Sequence, residues 1–141
     1  MNQVAFEGAR PIVHYGREGA AAERLLEQIA ASLAVRADLS EPSGAFTLWS
    51  RAFEAAGRIH ALLNNAGIRT EISIDSELRA WQQEWLRDFQ ANFLAAADLC
   101  REAIRHFRTR TGGHIINMAS RAGLRSYLAD AMPYGATKAA T

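Results

Sequence analysis

The stretch PIVHYGREGAAAERLLEQIAASLAVRADLS, residues 11–40, decides the fold because it joins two short apolar runs through a segment of helical period. PIVHY (11–15) is rich in β-branched residues and predicts a buried strand, and AVRADL (34–39) predicts a second, weaker strand. A helix is predicted between them over 18–33, with one apolar face made of Leu25, Leu26, Ile29 and Leu33. Strands alternating with helices are typical of a parallel α/β sheet.

The same alternation continues towards the C-terminus. Ser40, followed by Glu41 and Pro42, predicts the start of a helix that runs to about Ala56, with Gly57 as its stop. RIHALLNNAG (58–67) then predicts a third strand that breaks into a turn.

A long helix and a fourth strand follow. Residues 76–110 are dominantly helical, and TGG (111–113) ends this helix. HIINMAS (114–120) predicts the fourth strand, and YGATKAAT (134–141) opens another helix. The core-facing stripe predicted for the long helix is Trp81, Trp85, Leu86, Phe89, Phe93 and Leu94.

Length and composition indicate one ordinary globular domain spanning residues 1–141, with 49% hydrophobic and 22% charged residues. A net charge of +1 gives no reason to expect nucleic acid or an anionic membrane as a partner. Neither a secretion signal nor an apolar run long enough to span a membrane is visible, and no metal site is predicted. The single cysteine, Cys100, favours a structural thiol in a reducing compartment, so we expect a cytoplasmic protein.

Tyr134 and Lys138, the one lysine of the chain, are four residues apart on the last predicted helix. Residues with this spacing share a helix face, and an ammonium held near a phenol favours the phenolate. The tyrosine then becomes a usable proton donor or acceptor near neutral pH. The alternative is an unconnected surface pair, so this spacing alone is only suggestive.

Two further motifs lie where parallel strands end, which is where open α/β sheets bind their ligands. Ser120 ends the fourth strand, and its hydroxyl could donate a hydrogen bond to a substrate carbonyl or simply cap a turn. Asn64, Asn65, Ala66 and Gly67 follow the third strand, where the glycine permits close approach of a ligand. Taken alone, this second motif would be an ordinary turn.

Together these motifs closely resemble the classical short-chain dehydrogenases/reductases. The matching pieces are LLNNAG (62–67), Asn92 in FQANF, GGHIINMAS (112–120) and YGATK (134–138), and the resemblance covers essentially the whole chain. It implies a Rossmann-like three-layer α/β fold with a mostly parallel sheet.

The resemblance also implies an activity and assigns roles to four residues. Tyr134 would be the general acid/base, Lys138 would assist it and hold the nicotinamide ribose, and Ser120 would polarise the substrate carbonyl. Asn92 would position a water behind the lysine, although a purely structural amide remains the alternative. The substrate would be a small carbonyl or alcohol, and the full-length form would be a homo-oligomer.

Cofactor contacts are implied in the same way. They are Tyr15, Arg17, Asp38, Leu39, Asn64, Ala66 and Gly67, together with Tyr134 and Lys138. Asp38 would meet the adenine amino group, with a simple capping role as the alternative. The second family strand ends in VHYGR (13–17) without an acidic residue, and Arg17 favours NADP over NAD, although Glu18 is its neighbour.

The chain also departs from the family pattern. The glycine-rich TGxxxGxG turn that presents backbone N–H groups to a pyrophosphate is missing, and so is the region after the lysine helix. We therefore expect a fold truncated at both ends. The alternative to an oxidoreductase is an inactive remnant that acts, if at all, by associating with an intact homologue.

Overall fold

The computed structural model describes residues 8–17, 19–28, 33–125 and 129–141, and within them strands and helices alternate. The strands are β1 (Ile12–Tyr15), β2 (Leu33–Arg36), β3 (Ala61–Asn64) and β4 (His114–Asn117). The helices are α1 (Gly19–Gln28), α2 (Gly44–Ala56), α3 (Leu78–Phe89), α4 (Ala95–Arg108) and α5 (Met132–Ala140). Short 3-10 turns at Arg121–Gly123 and Ala129–Ala131 lead into α5. The predicted α/β class is confirmed.

All strand pairs among the described residues are parallel. Strand β1 pairs with β2, with Tyr15 opposite Arg36, and β3 pairs with β4, with Asn64 opposite Asn117. The described strands form two separate two-stranded sheets rather than one continuous sheet. Because parallel strands point the same way, the last residues of each pair lie side by side at the carboxyl edge of their sheet.

The two faces of the β3–β4 sheet differ in their burial. On one face Leu62 packs against a buried cluster that includes Leu99 of α4 and Leu39. On the other face Leu63 and Ile116, which lie opposite each other in the register, are 47% and 51% exposed. One face is therefore covered by helices, and the other is open to solvent over the described part of the chain.

A π-helical segment, Gln90–Leu94, joins α3 to α4 within one long helix. Its wider turn is visible at Ala95, whose backbone N–H donates to the carbonyl of Gln90 five residues earlier. Single π-turns inside α-helices occur frequently at functional sites. This one contains Asn92, which is only 2% exposed.

The predicted helix start at Ser40 is wrong. The backbone N–H and the hydroxyl of Ser40 both donate to Oδ1 of Asp38, at 2.9 and 2.6 Å, so this serine completes a turn. Helix α2 begins at Gly44, where a Cβ would lie 1.9 Å from the carbonyl oxygen of Asp38. The predicted stop is confirmed, because Gly57 has φ of 67° and its N–H donates to Phe53.

Two of the predicted apolar faces also need correction. Leu33 is not on a helix face, because it is the first residue of β2 and pairs with Ile12. In the long helix, Leu86 and Leu94 are 71% and 47% exposed, because they lie away from the sheet. Ile29 and the side chain of Leu25 lie outside what the structure describes.

Candidate active site

The carboxyl edge of the β3–β4 sheet is fixed by a pair of asparagines. Nδ2 of Asn64, at the end of β3, donates to Oδ1 of Asn117 at 2.9 Å and to Sγ of Cys100 at 3.3 Å. Asn64 is buried, so these bonds satisfy a side chain that would otherwise be costly to desolvate. Asn117 was not predicted, although its place opposite Asn64 in parallel strands was a signal that could have found it.

The amide of Asn92 is fully engaged within the protein. Oδ1 accepts from the backbone N–H of Ile68 at 2.7 Å, and Nδ2 donates to the carbonyl of the same residue at 2.9 Å. Nδ2 also donates to Oγ1 of Thr137 at 3.0 Å. Asn92 therefore connects the segment after the NNAG turn with helix α5.

Thr137 carries this network to the helix that holds Tyr134 and Lys138. Its side chain has no exposed surface, and its hydroxyl accepts from Asn92 while donating to the carbonyl of Tyr134 at 2.9 Å. Sequence reasoning missed Thr137, although it lies inside YGATK between the two residues that were singled out.

Lys138 is 8% exposed and its ammonium lies among backbone groups. Nζ donates to the carbonyl of Met118 at 2.9 Å. A Cβ added to Gly67 would lie 3.7 Å from Nζ and 3.3 Å from Oδ1 of Asn92. Glycine at this position thus lets the NNAG turn approach both side chains, and Asn92, Gly67 and Lys138 converge as predicted residues.

Ser120 and Lys138 line the same cavity, of about 440 Å³. The other lining residues are Ala119, Arg121, Gly123, Leu124, Ala139 and Thr141. The hydroxyl oxygen of Ser120 accepts from the backbone N–H of Ala122 at 3.2 Å, so the serine caps a 3-10 turn. A hydroxyl that accepts one bond still has its own hydrogen to donate, so capping and substrate contact are compatible.

Tyr134 is half-buried in α5, one turn before Lys138. The helix predicted from their spacing is present, and side chains four residues apart share its face. Helix α5 packs tightly on the turn after Ser120, because a Cβ on Gly123 would lie 2.5 Å from the carbonyl oxygen of Lys138. The turn that contains Ser120 and the helix that carries the other two residues therefore form one packed unit.

A buried carboxyl, Asp88, lies one turn before Asn92 in α3 and was not predicted. It has no exposed surface, and its Oδ1 accepts from the hydroxyl of Thr70 at 2.6 Å. Burial raises the pKa of Asp88, and the hydrogen bond from Thr70 opposes part of that effect. Asp88 and Asn92 together hold residues 68–70 against the long helix.

The nucleotide edge, as we call the residues around the carboxyl ends of β1 and β2, is more exposed. Tyr15 is half-buried, Arg17 and Asp38 are exposed, and Leu39 is buried in the core. The hydrogen bonds from Ser40 lower the pKa of Asp38, and the charge of Arg17 acts in the same direction. Leu39 can therefore face a ligand only through its backbone.

Some of the predicted residues fit a bound nicotinamide nucleotide. The backbone of Ala66 and Gly67 is exposed, and Lys138 keeps two further N–H groups beyond its bond to Met118. No group of three His, Cys, Asp or Glu side chains in the described segments could hold a metal ion. None of the described helices is both long and apolar enough to cross a membrane.

Comparison with known proteins places these features in one family. The family model described as short chain dehydrogenase matches residues 1–141. A short-chain type dehydrogenase/reductase from Picea abies is 32% identical over 127 residues, which cover 83% of this chain and 46% of that protein. Versicolorin reductase 1 from Aspergillus parasiticus is 32% identical over 117 residues, covering 80% of this chain and 43% of the relative.

Solved structures agree with these relatives. The crystal structure of acetoin dehydrogenase from Enterobacter cloacae superposes with a TM-score of 0.82 at 25% identity. The match covers 99% of this chain and 56% of the other. The fold is thus Rossmann-like, and the chain spans about half the length of the curated relatives it matches.

Proposed function

The chain belongs to the short-chain dehydrogenase/reductase family, and from this premise we propose that it acts as an NAD(P)H-dependent oxidoreductase. The reaction is the exchange of hydride between a nicotinamide and a small carbonyl or alcohol. When bound, the nicotinamide supplies or accepts the hydride, and the side chains of this chain handle the proton and the orientation of the substrate.

Tyr134 is the proposed proton donor to the carbonyl oxygen during reduction, and the acceptor of the alcohol proton during oxidation. The ammonium of Lys138 favours the charged form of the phenol electrostatically, which suits the tyrosine to both tasks near neutral pH. The free hydroxyl hydrogen of Ser120 orients the substrate oxygen towards Tyr134. A positioned proton donor of this kind contributes typically 10²- to 10⁴-fold to a rate.

The observation that carries this proposal is the convergence of strand ends on one helix. Lys138 reaches the carbonyl of Met118, touches the space beside Gly67, and shares a cavity with Ser120. A buried lysine without a carboxylate within 4 Å among the described residues is costly to maintain, which supports a functional reason for it.

Asn92 acts in this proposal as a clamp. Since both ends of its amide are occupied by Ile68 and Thr137, any contact of Asn92 with a water would fall to its backbone carbonyl. The side chain instead fixes the distance between the NNAG turn and helix α5, and therefore the place of Lys138 beside a nucleotide.

Two features support the choice of cofactor and substrate. Arg17 follows β1 at the position where a basic residue accommodates the 2′-phosphate of NADP, so NADP is favoured over NAD. The relatives are named for reduction of versicolorin and dehydrogenation of acetoin, both of which are carbonyl or alcohol chemistry. We propose the same class of substrate for this chain.

The test is a titration of the purified chain with NADPH, followed by nicotinamide fluorescence and by turnover of a panel of small ketones. Saturable binding and turnover that Tyr134→Phe lowers at least 10²-fold, without loss of NADPH binding, is the expected result. The matched control is Tyr15→Phe, which removes a phenol at the nucleotide edge. Equal activity of the Tyr134 variant and the unmodified chain would contradict the proposal.

A second candidate is a remnant that associates with an intact homologue. It is favoured by the open sheet face at Leu63 and Ile116, because large apolar surface exposed together marks interaction sites. Size-exclusion chromatography separates the two, since this candidate predicts association and no nucleotide binding. Saturable NADPH binding by a monodisperse chain would remove it.

A further inference from the structure

Arg36, the last residue of β2, reaches across to the end of the neighbouring strand. Its Nε donates to the carbonyl of Gly16 at 3.3 Å, and in the parallel register Arg36 lies opposite Tyr15. Arg17 is the next residue after Gly16. The two arginines therefore flank one backbone position at the carboxyl edge of the β1–β2 sheet.

Strand alternation directs Arg36 to the side of the sheet on which Asp38 lies. Residues two apart in an extended chain share a face, and the burial pattern follows this rule, with Arg36 and Asp38 exposed and Ala37 only 6% exposed. Arg17 lies close enough for its charge to act on Asp38. Arg17, Arg36 and Asp38 thus share the rim where the nucleotide is proposed to bind.

The positive charge at this rim is not neutralised by the described residues. No carboxylate among them lies within 4 Å of the guanidinium of Arg17 or Arg36. Arg51 adds a third guanidinium, whose Nη1 donates to the backbone carbonyl of Arg36 at 2.9 Å. Glu54 lines the adjacent groove with Arg36 and Arg51 but forms no ion pair with them.

A guanidinium has five N–H groups in a planar fork that matches the oxygens of a phosphate. The bond to Gly16 uses only Nε–H of Arg36, so four N–H groups remain, and the backbone contact holds the fork in place. A held fork loses less side-chain entropy on binding an anion than a free one does.

We propose that Arg36 and Arg17 together form a site for a phosphate monoester, and that its ligand is the 2′-phosphate on the adenosine ribose of the cofactor. Arg36 thereby becomes a specificity-determining residue on the strand adjacent to the one that carries Arg17. This inference rests on the proposed nucleotide-dependent function, and it concerns the choice of nucleotide rather than hydride transfer.

The experiment compares two small probes, 2′,5′-ADP and 5′-ADP, by calorimetric titration of the purified chain. They differ only in the 2′-phosphate, so the ratio of their affinities isolates the proposed site. We expect 2′,5′-ADP to bind about tenfold more tightly or better, as one charge-assisted fork contact provides. Arg36→Ala should reduce that ratio about tenfold and leave the affinity for 5′-ADP almost unchanged.

Two further variants serve as controls. Arg36→Lys keeps the charge but loses the fork, so it should retain part of the preference. Arg108→Ala removes an equal charge from the last turn of α4, at the opposite edge, where neighbouring His106 contacts Ile59 just before β3. It should leave the ratio unchanged, and circular dichroism verifies that every variant is folded.

The outcomes separate this inference from the proposed function. A preference for 2′,5′-ADP that survives Arg36→Ala overturns the role of Arg36 and leaves NADP-dependent chemistry standing. Equal binding of both probes overturns the two-arginine site, while the turnover test with Tyr134→Phe remains independent. If the folded chain binds neither probe, this inference falls together with the nucleotide binding on which it rests.

Discussion

The catalytic corner, made of Asn92, Thr137 and Lys138, differs from the nucleotide edge in how its polar groups are held. At the catalytic corner these side chains are between 0% and 8% exposed and bond to one another or to backbone groups. At the nucleotide edge, Arg17, Arg36 and Asp38 are all exposed. One region is fixed by buried hydrogen bonds and the other acts through charge in contact with water.

This difference indicates which kind of substitution each region tolerates. A buried polar group that loses its partner costs about 1–3 kcal/mol, because nothing replaces the lost bond. A solvent-exposed group can exchange its partner for water at little cost. Changes at the catalytic corner should therefore act on folding and activity together, whereas changes at the nucleotide edge should act on ligand choice alone.

The largest effect is expected from Asn92→Ala, which removes three hydrogen bonds at once. The backbone N–H and carbonyl of Ile68 and the hydroxyl of Thr137 all lose a partner, so the free energy of unfolding should fall by about 2–4 kcal/mol. Urea denaturation followed by circular dichroism measures it. Asn65→Ala, in the exposed turn, is the matched control, and equal losses in both variants would contradict the contrast.

A smaller effect is expected from Thr137→Val, which keeps the volume of the side chain and removes its hydroxyl. Nδ2 of Asn92 then loses one of its acceptors inside the protein, which should cost about 1–2 kcal/mol. Thr137→Ser restores the hydroxyl and should recover most of this loss. If serine proves no better than valine in thermal denaturation, the hydroxyl bridge is unimportant.

The smallest effect is a change in pH dependence at Asp88. Its folded-state pKa is raised above the ordinary 3.8, so the folded chain binds more protons than the unfolded chain in the window above 3.8. Stability should therefore decrease as pH rises from 3.8 towards the raised value. Asp88→Asn should flatten this part of the curve of melting temperature against pH.

The control for this measurement is Asp98→Asn in the first turn of α4. It removes a carboxyl from the same long helix at a half-buried position and should leave that slope in place. A slope identical in the Asp88 variant and the unmodified chain would show that Asp88 does not titrate in this window.

The strand-end motifs could be predicted because their signals are local. The β-branched run of β1 and the stop at Gly57 depend on neighbouring residues, and both are confirmed. The approach of Lys138 to Gly67 followed from assigning both to a family whose motifs were recognised. These predictions needed no knowledge of tertiary contacts.

The interactions that were missed join residues distant in sequence or depend on a competing local bond. Thr137 meets Asn92 across 45 positions, and Thr70 meets Asp88 across 18. Ser40 looked like a helix cap because its alternative partner, the carboxylate of Asp38 two residues earlier, competes for the same hydroxyl. The exposure of Leu86 depends on where the long helix lies against its neighbours, which periodicity alone does not reveal.

The π-turn at Gln90–Leu94 sets the rotational phase between the two halves of the long helix. One residue in an α-helix corresponds to about 100° of rotation, so deleting a single residue from this turn would leave two good helices pointing in incompatible directions. If α4 kept its packing, the amide of Asn92 would swing away from Ile68. A length change of one in this short segment is therefore a more severe lesion than most substitutions within it.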